Sequence, residues 1–600
     1  MRIAVVERAL CRPSKCNREC VRFCPINRSG SKCVWVDEEL KKARIDEGLC
    51  VGCGICVRKC PFNAIHIVNL PERLERELVH RYGPNGFELF RLPIPKRGVV
   101  VGVIGSNGMG KSTSLRILSG ELKPNLGRIG EDVDWRDVIR FFRGSELQPY
   151  FQRLSEGRLR AVRKPQEIDR IPRYVRGRVR EVLERIDERG VAREVRDLLA
   201  LGSVWDREVR YLSGGELQKL AVAAAMCRDA DVYMFDEPSS YLDVRERMRV
   251  ARAIRRLADE GKYVVVVEHD LAVLDYVSDL VHILYGEPGA YGVVSLPRGV
   301  RTGINVFLRG FLREENVRFR DYEIRFEIKP PERRPRPEAV VAAWSDLRKR
   351  LNGFELEVSA GEMYAGEVVG VVGPNGIGKT TFVRMLVGEL EPDEGEVSVQ
   401  PGVKISYKPQ MVSREEMEGR VRDVLRGAGV DLESSFVQSE LIRPLGLNKL
   451  MERDVSELSG GELQRVAIAA ALGREADVYL LDEPMAYLDV EQRYAVARVV
   501  RRLTQERGVA TLVVEHDVVA QDFIADSLMV FGGEPGVRGE ATPPLSLRKG
   551  FNKFLRELGV TFRRDPETLR PRVNKEGSRL DRYLKSIGEY YYTAMLEERE

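Results

Sequence analysis

Short, wholly apolar runs recur in two matching series along the 600-residue chain. The first is VVVGVI at 99–104, VYMF ahead of Asp236 and VVVV ahead of Glu268. The second is VVGVV at 368–372, VYLL ahead of Asp482 and LVV ahead of Glu515. Runs this short, rich in valine and closed by glycine or acid, predict buried strands of a parallel sheet. The expected fold class is α/β, with one arrangement built twice. No apolar run reaches the roughly 18 residues that a membrane-crossing helix needs. The opening MRIAVVERALCRP lacks the apolar stretch of a secretory leader. A cytoplasmic protein is expected. Charged residues are 32% of the chain, yet the net charge is only +5, which argues for folded domains rather than disorder.

The two series carry the same chemistry in the same order. The first strand runs into Gly105-Ser-Asn107-Gly108-Met-Gly110-Lys111-Ser112-Thr113. Its counterpart runs into Gly373-Pro-Asn375-Gly376-Ile-Gly378-Lys379-Thr380-Thr381. Both are P-loops, in which backbone N–H groups surround phosphates at a helix N-terminus. Lys111 and Lys379 are expected to reach the β and γ phosphates of ATP, and Ser112 and Thr380 to ligate Mg2+. Further on, the strands before Asp236-Glu237 and Asp482-Glu483 deliver paired carboxylates. The aspartate supports Mg2+, and the glutamate polarises the attacking water. Asp243 and Asp489 follow. His269 and His516 close the last strands, 33 and 34 residues after their aspartates, as γ-phosphate contacts. Gln166 and Gln410, both in Lys-Pro-Gln, suit a glutamine joining Mg2+ and water. LSGGELQ occurs at 212–218 and again at 458–464. Tyr82 and Phe87 before the first P-loop, and Phe354 before the second, are candidate adenine platforms.

Spacing separates the copies. Ser213 to Asp236 and Ser459 to Asp482 are both 23 residues, but Lys111 to Gln166 is 55 and Lys379 to Gln410 is 31. The first copy therefore holds an insertion, near 135–164, whose pattern reads helix, Gly-Ser break, helix. Residues 136–180 contain 13 Lys/Arg against 5 Asp/Glu. A basic surface with exposed aromatics there would suit RNA. A second repeat closes each half: Gly303, Asn305, Phe307, Leu308 and Arg309 recur as Gly550, Asn552, Phe554, Leu555 and Arg556. These read as paired hinge segments.

Nine of ten cysteines lie before residue 61, which favours metal over disulfides. Cys50-x2-Cys53-x2-Cys56-x3-Cys60-Pro61 is the bacterial ferredoxin run, whose fourth cysteine reaches a second cluster. Cys11, Cys16, Cys20 and Cys24-Pro25 form a looser copy. Reciprocity gives two 4Fe–4S clusters, one on Cys50, Cys53, Cys56 and Cys24, the other on Cys11, Cys16, Cys20 and Cys60. Cys33 is left over, and zinc is the weaker alternative.

The nucleotide motifs resemble those of the ABC ATPase superfamily. That resemblance implies a head-to-tail pair in which Ser213, Gly214 and Gly215 cap the nucleotide on Lys379, and Ser459, Gly460 and Gly461 cap that on Lys111. Cluster module, twin cassettes, insertion and hinges together resemble the ABC-E ribosome recycling factors, also called RNase L inhibitors. The resemblance implies an ATPase that splits ribosomes after termination or rescue. Its partners would be the small subunit, through rRNA and protein, a release factor or Pelota-type paralogue, and initiation factors. It implies a monomer without membrane attachment, and the arginine-rich composition and short N-terminus favour an archaeal member. The expected organisation is a cluster domain at 1–75, a first cassette at 76–296, a hinge at 297–325, a second cassette at 326–540, and a second hinge with tail at 541–600. A redox enzyme in which ATP gates electron transfer is the rival, but no acceptor motif is present. A chromosome or repair ATPase would need long coiled coils, and a transporter subunit would not carry clusters.

Overall fold

The computed structural model describes residues 2–592 apart from 330–332, 334–335, 352 and 413–416. The end of the expected tail, 593–600, and part of the proline-rich linker lie outside the described residues. The chain forms two compact units. The first comprises Met1–Pro238, Arg252–His269 and Val277–Asp321; the second comprises Ser239–Ala251, Asp270–Tyr276 and Tyr322–Glu600.

In the first unit, the cysteine module is held by two antiparallel pairs, Arg2–Val6 with Ile65–Asn69 and Val34–Asp37 with Lys42–Ile45. Two short helices, Glu19–Arg22 and Ile55–Lys59, lie against each other between them. Each begins within a cysteine run. The core is small (Ala4, Val6, Val34, Ala43, Ile45, Ala64 and Ile65), and the cysteines form much of the rest.

The nine-stranded sheet of this unit centres on five parallel strands. Their spatial order is Ala161–Lys164, Val232–Asp236, Tyr263–Val267, Val100–Ile104 and Leu280–Glu287. Val100–Ile104 and Val232–Asp236 are buried along their whole length. Both faces are covered, so a continuous apolar run is what the sheet requires. The second unit repeats the order with Ile405–Lys408, Val478–Asp482, Ala510–Val514, Val368–Val372 and Ser527–Glu534. In each sheet the P-loop strand is flanked on both sides, so its C-terminal end opens at the sheet's centre, where α/β sheets bind ligands.

The insertion folds as the helices Trp135–Phe141 and Leu147–Ser155. Two features correct the sequence reading. The aromatics face inward: Phe142 stacks on Phe151 at 5.1 Å, and the Tyr150 hydroxyl donates to the Leu118 carbonyl at 2.6 Å. Phe142, Tyr150 and Phe151 are buried, because a two-helix excursion needs its own apolar anchor on the cassette. Its outward face is arginine (Arg136, Arg140, Arg143, Arg158) without exposed rings. Secondly, Ala161–Lys164 is a strand of the main sheet with Ile405–Lys408 as its counterpart, so the insertion ends before it, and Lys164 is buried.

The hinge repeat appears as helices Val300–Arg309 and Leu547–Leu558, each ended by a left-handed glycine, Gly310 and Gly559. Gly303 and Gly550 share a reason for being glycine. A β-carbon there would sit 3.1 Å from Cβ of Val281 and 2.8 Å from Cβ of Leu528, so each helix lies directly on its sheet. In the second unit the tail adds the strands Phe562–Arg564 and Pro571–Val573 and the helix Arg579–Ser586. Arg570 and Arg572 converge on Asp275 at 2.9–3.0 Å, and Arg564 forks onto Asp522 at 2.7 Å.

One ion cluster ties the cysteine module to its cassette. His66 Nδ1 is 2.5 Å from Glu287, and Nε2 is 2.8 Å from Glu7. Burial opposes the imidazolium, but the hydrogen bonds and charges of Glu287 and Glu7 outweigh it and lift His66 to about 9. A folded-state value above the ordinary 6.5 means the contribution is fully present below pH 6.5 and fades as pH rises through about 9. The thermal stability of the first unit is expected to fall as pH rises across that window in the wild type but not in His66→Gln. Parallel pH profiles for the two proteins would contradict the assignment.

Candidate functional site: two nucleotide sites and a cysteine module

Each P-loop turns into its helix through a glycine with positive φ, 88° at Gly110 and 97° at Gly378. An aromatic ring rests against that glycine. A β-carbon at Gly110 would lie 2.9 Å from Phe87, and one at Gly378 3.1 Å from Phe354. Phe87 is thus the positional counterpart of Phe354. Tyr82 stands next to it, its hydroxyl 3.2 Å from Thr113 Oγ1. The ammonium of Lys111 donates to the carbonyls of Gly105 and Ser106 at 2.7 and 2.9 Å and to Asn107 Oδ1 at 3.2 Å. Lys379 donates to Gly373 and Pro374 carbonyls at 3.0 and 2.6 Å. Burial lowers Lys379 to about 8 against the pull of Glu483, Asp243 and Asp482. A buried ammonium held in its own loop is stabilised by any polyanion arriving there.

The residues expected to hold Mg2+ converge in both copies. Ser112 Oγ donates to Asp236 Oδ2 at 2.8 Å, and Thr380 Oγ1 to Asp482 Oδ2 at 2.7 Å. Burial raises both aspartates above the ordinary range. Asp482 Oδ1 is buried with no hydrogen-bond partner among the described residues. A hard oxygen donor left over beside a hydroxyl fits a divalent cation, whose charge would restore the ionised form.

Glu237 and Glu483 follow these aspartates in the left-handed backbone region, φ 48° and 46°. The conformation costs of order 1 kcal/mol or more for a non-glycine residue, and it turns the carboxylate across the strand end. Gln166 Nε2 donates to Glu237 at 2.7 Å and Gln410 Nε2 to Glu483 at 2.8 Å. His269 Nε2 lies 3.3 Å from Glu237 and His516 Nε2 3.1 Å from Glu483. Burial pushes both glutamates up, but histidine, P-loop lysine and glutamine outweigh it and hold each at about 2. His516 is itself lowered by burial and Lys379, which favours its neutral form. The result is an ionised base at the end of a dry strand.

Several positions were not identified from sequence. Lys164 and Lys408, each one residue before Pro-Gln, donate to the Asp236 and Asp482 carbonyls at 2.9 Å. Gln218 and Gln464, the last residues of LSGGELQ, donate to the Glu237 and Glu483 carbonyls at 2.6 and 2.8 Å. Their duplication inside the quoted motifs was the available signal. Ser213 and Ser459 open the helices Gly214–Cys227 and Gly460–Gly473, each capping box closed by Glu216 or Glu462. Asp243 and Asp489 cap helices too, through Glu246 N at 3.0 Å and Gln492 N at 2.9 Å. Asp243 also accepts from Asn375 N at 3.1 Å, inside the second unit.

The cysteines line two pockets. Cys11, Cys16, Cys20 and Cys60 line one; Cys24, Cys33, Cys50, Cys53 and Cys56 line the other. Cys60 therefore crosses to the first group and Cys24 to the second. Burial raises Cys20 to about 12 and Cys56 to about 11, with neighbouring thiols adding to the effect. Thiolates so crowded need cationic metal among them. Ala43 N and Ala64 N point at Cys11 and Cys60 sulfurs at 3.3 and 3.4 Å, donors suited to cluster thiolates. Among the described residues no three Cys, His, Asp or Glu side chains converge on a point fit for one metal ion. Four cysteines around one pocket and five around the other, exchanged between the two runs, are the arrangement of a pair of ferredoxin-type clusters.

Fold and site define a twin ATP-binding-cassette ATPase carrying a ferredoxin-like cysteine module. The family model described as "ABC transporter" matches residues 94–240 and 356–486. "Possible Fer4-like domain in RNase L inhibitor, RLI" matches 1–32, and "4Fe-4S binding domain" matches 43–66. An uncharacterized ABC transporter ATP-binding protein of Methanocaldococcus jannaschii is 53% identical, over 99% of this chain and 98% of that one. The solved "Model of ribosome-bound archaeal Pelota and ABCE1" is similar at 56% identity and TM-score 0.91, covering 99% of each chain. The archaeal ribosome recycling factor in complex with ribosomal stalk protein aP1 is similar at 56% identity and TM-score 0.82, covering 87% of this chain and 100% of that one. The chain belongs to the ABC-E family, also called the RNase L inhibitor family. No helix among the described residues is long and apolar enough to cross a membrane.

Proposed function

We propose that this chain splits ribosomes into subunits after termination or rescue, driven by ATP. The observation that carries this is likeness along the whole chain, cysteine module and hinges included, to a ribosome-bound relative. In each cassette, the P-loop amides and Lys111 or Lys379 bind the phosphates. Phe87 with Tyr82, and Phe354, flank the adenine. Ser112 with Asp236, and Thr380 with Asp482, hold Mg2+, joined by Gln166 and Gln410. Mg2+ supplies charge neutralisation between phosphates when bound. Glu237 and Glu483 orient and polarise water, and His269 and His516 stand at the γ-phosphate. The signature serines and glycines cap the nucleotide. ATP closes the cassettes, and hydrolysis releases them. Cys11, Cys16, Cys20 and Cys60 hold one 4Fe–4S cluster; Cys24, Cys50, Cys53 and Cys56 hold a second. When bound, the clusters cross-link a module too small to be stable on apolar burial alone. The small subunit, a release factor or Pelota-type factor, and a ribosomal stalk protein are the partners. A cluster-linked redox ATPase is not favoured, because the full-length matches are ribosomal factors.

Ribosomes incubated with ATP, a Pelota-type factor and this protein are expected to shift from the monosome to the subunit peaks of a sucrose gradient. Unchanged monosomes, with ATP turnover intact, would sink the proposal.

A further inference from the structure

The exposed rings absent from the insertion occur just beyond it. Tyr174, 81% exposed, and Tyr211, 62% exposed, are the two most exposed aromatic side chains among the described residues. Tyr174 ends the short helix Ile171–Tyr174, and Tyr211 ends the turn Val209–Tyr211, which lies against that helix. Two backbone bonds fix the pairing of their flanking segments: Val209 N to the Gly177 carbonyl and Val179 N to the Arg207 carbonyl, both 3.0 Å. Arg173, Arg176 and Arg178 are exposed around the rings, and none forms an ion pair among the described residues. Arg210 lies over the Tyr211 ring at 4.7 Å.

The second cassette supplies an internal comparison. Its Val455 N donates to the Gly419 carbonyl and its Val421 N to the Arg453 carbonyl, both 3.0 Å or shorter, so the backbone pairing is the same. Gly177-Arg178-Val179-Arg180 repeats as Gly419-Arg420-Val421-Arg422, and Leu212-Ser213 as Leu458-Ser459. Counted back from these anchors, Arg173, Tyr174 and Arg176 correspond to Glu415, Glu416 and Glu418, and Tyr211 to Glu457. At the described positions the same backbone pairing carries Arg176 and Tyr211 in one copy and Glu418 and Glu457 in the other. Folding does not demand the first set, and a surface serving only solubility has no need of upturned rings.

We propose that this face of the first cassette, centred on Arg173, Tyr174, Arg176 and Tyr211, binds single-stranded RNA. Unpaired guanidinium groups meet phosphates, and exposed tyrosine faces stack on unstacked bases. Among the described residues from 171 to 211 no other large apolar side chain is exposed, which disfavours an amphipathic acidic helix as occupant. The RNA is identified here by chemistry. That its natural source is a ribosomal strand rests on the proposed function.

The test uses the cluster-loaded full chain and a labelled 12-nucleotide single-stranded RNA, read by fluorescence anisotropy over a salt series. Arg173→Glu with Tyr174→Glu and Arg176→Glu, the residues of the other cassette, is expected to weaken binding at least tenfold. It should also flatten the log Kd against log salt slope by about 1.4, about 0.7 for each lost phosphate contact. Tyr174→Ala is expected to lose about five- to a hundredfold and Tyr174→Phe almost nothing. ATP turnover is expected to be unchanged, and circular dichroism to report a folded chain. Wild-type affinity in the triple variant would overturn the proposal. So would unchanged RNA binding with loss of a polyglutamate peptide. Ultraviolet cross-linking on small subunits identifies the strand, rRNA or messenger. Failure of ribosome splitting with RNA binding intact would remove the functional reading alone.

Discussion

ATP turnover is expected to fall by about 10²–10⁴ when Glu237→Gln and Glu483→Gln are combined, the range set by removing a positioned general base. Both carboxylates are held ionised at about 2 by histidine, lysine and glutamine partners. The amide is nearly isosteric, so Gln166 and Gln410 keep a neighbour, but the negative charge that polarises water is gone. ATP affinity, measured with a fluorescent analogue, is expected to be preserved, because the P-loop contacts are untouched. Each single variant should lose turnover only at its own site if the sites act separately. Phosphate release at the wild-type rate in the double variant would remove both glutamates from the chemistry.

The second large effect is structural. Asp275→Ala is expected to cost about 3–5 kcal/mol, the penalty for stripping one partner from a buried ion cluster. Asp275 is nearly inaccessible, Arg570 fully so, and three hydrogen bonds of 2.9–3.0 Å join it to Arg570 and Arg572. Burial disfavours its charge, but the two guanidinium groups outweigh that and hold it below the ordinary range. Replacement leaves two buried cations facing each other. Limited proteolysis is expected to cut near Arg570 in the variant and not in the wild type. Arg570→Met with Asp275→Leu should recover part of the loss, since it removes one of the two guanidinium groups that lose Asp275, while Arg572 keeps Asp565 at 3.7 Å. A fully stable Asp275→Ala protein would show that the cluster contributes little.

The sheet strands and P-loops were legible because one short apolar run can do little else than bury itself, and because everything occurred twice. Duplication also made Gln166 and Gln410 visible at different distances from their lysines. The inward turn of Phe142, Tyr150 and Phe151 was not legible. A count of charges and rings along 136–180 gives composition, and only packing on Leu118 decides which side faces water. Lys164 was misread for the same reason: an acceptor carbonyl on the neighbouring strand turns a surface-type residue into a buried strut. The equivalence of Phe87 and Phe354 was available in the repeated Gly-Phe-Glu-Leu but needed the ring against Gly110 to give it meaning. The Asp275 cluster joins residues almost 300 apart, and no local pattern announces such a pair.

The buried strut has a positional consequence peculiar to the first cassette. Lys164 fastens one strand end to the carbonyl of Asp236, and two residues later Gln166 grips Glu237. The other end of that strand is joined to the inserted helix Leu147–Ser155 by residues 156–160, which turn at Gly157. Gln166, which holds the carboxylate of Glu237, and the arginine-faced helices are therefore separated along the chain by that one strand and its turn, with no other element between them. The matching strand of the second cassette, Ile405–Lys408, follows the strand Val397–Val399 instead. The same catalytic strand thus leads back to a basic two-helix projection in one cassette and to a small sheet in the other.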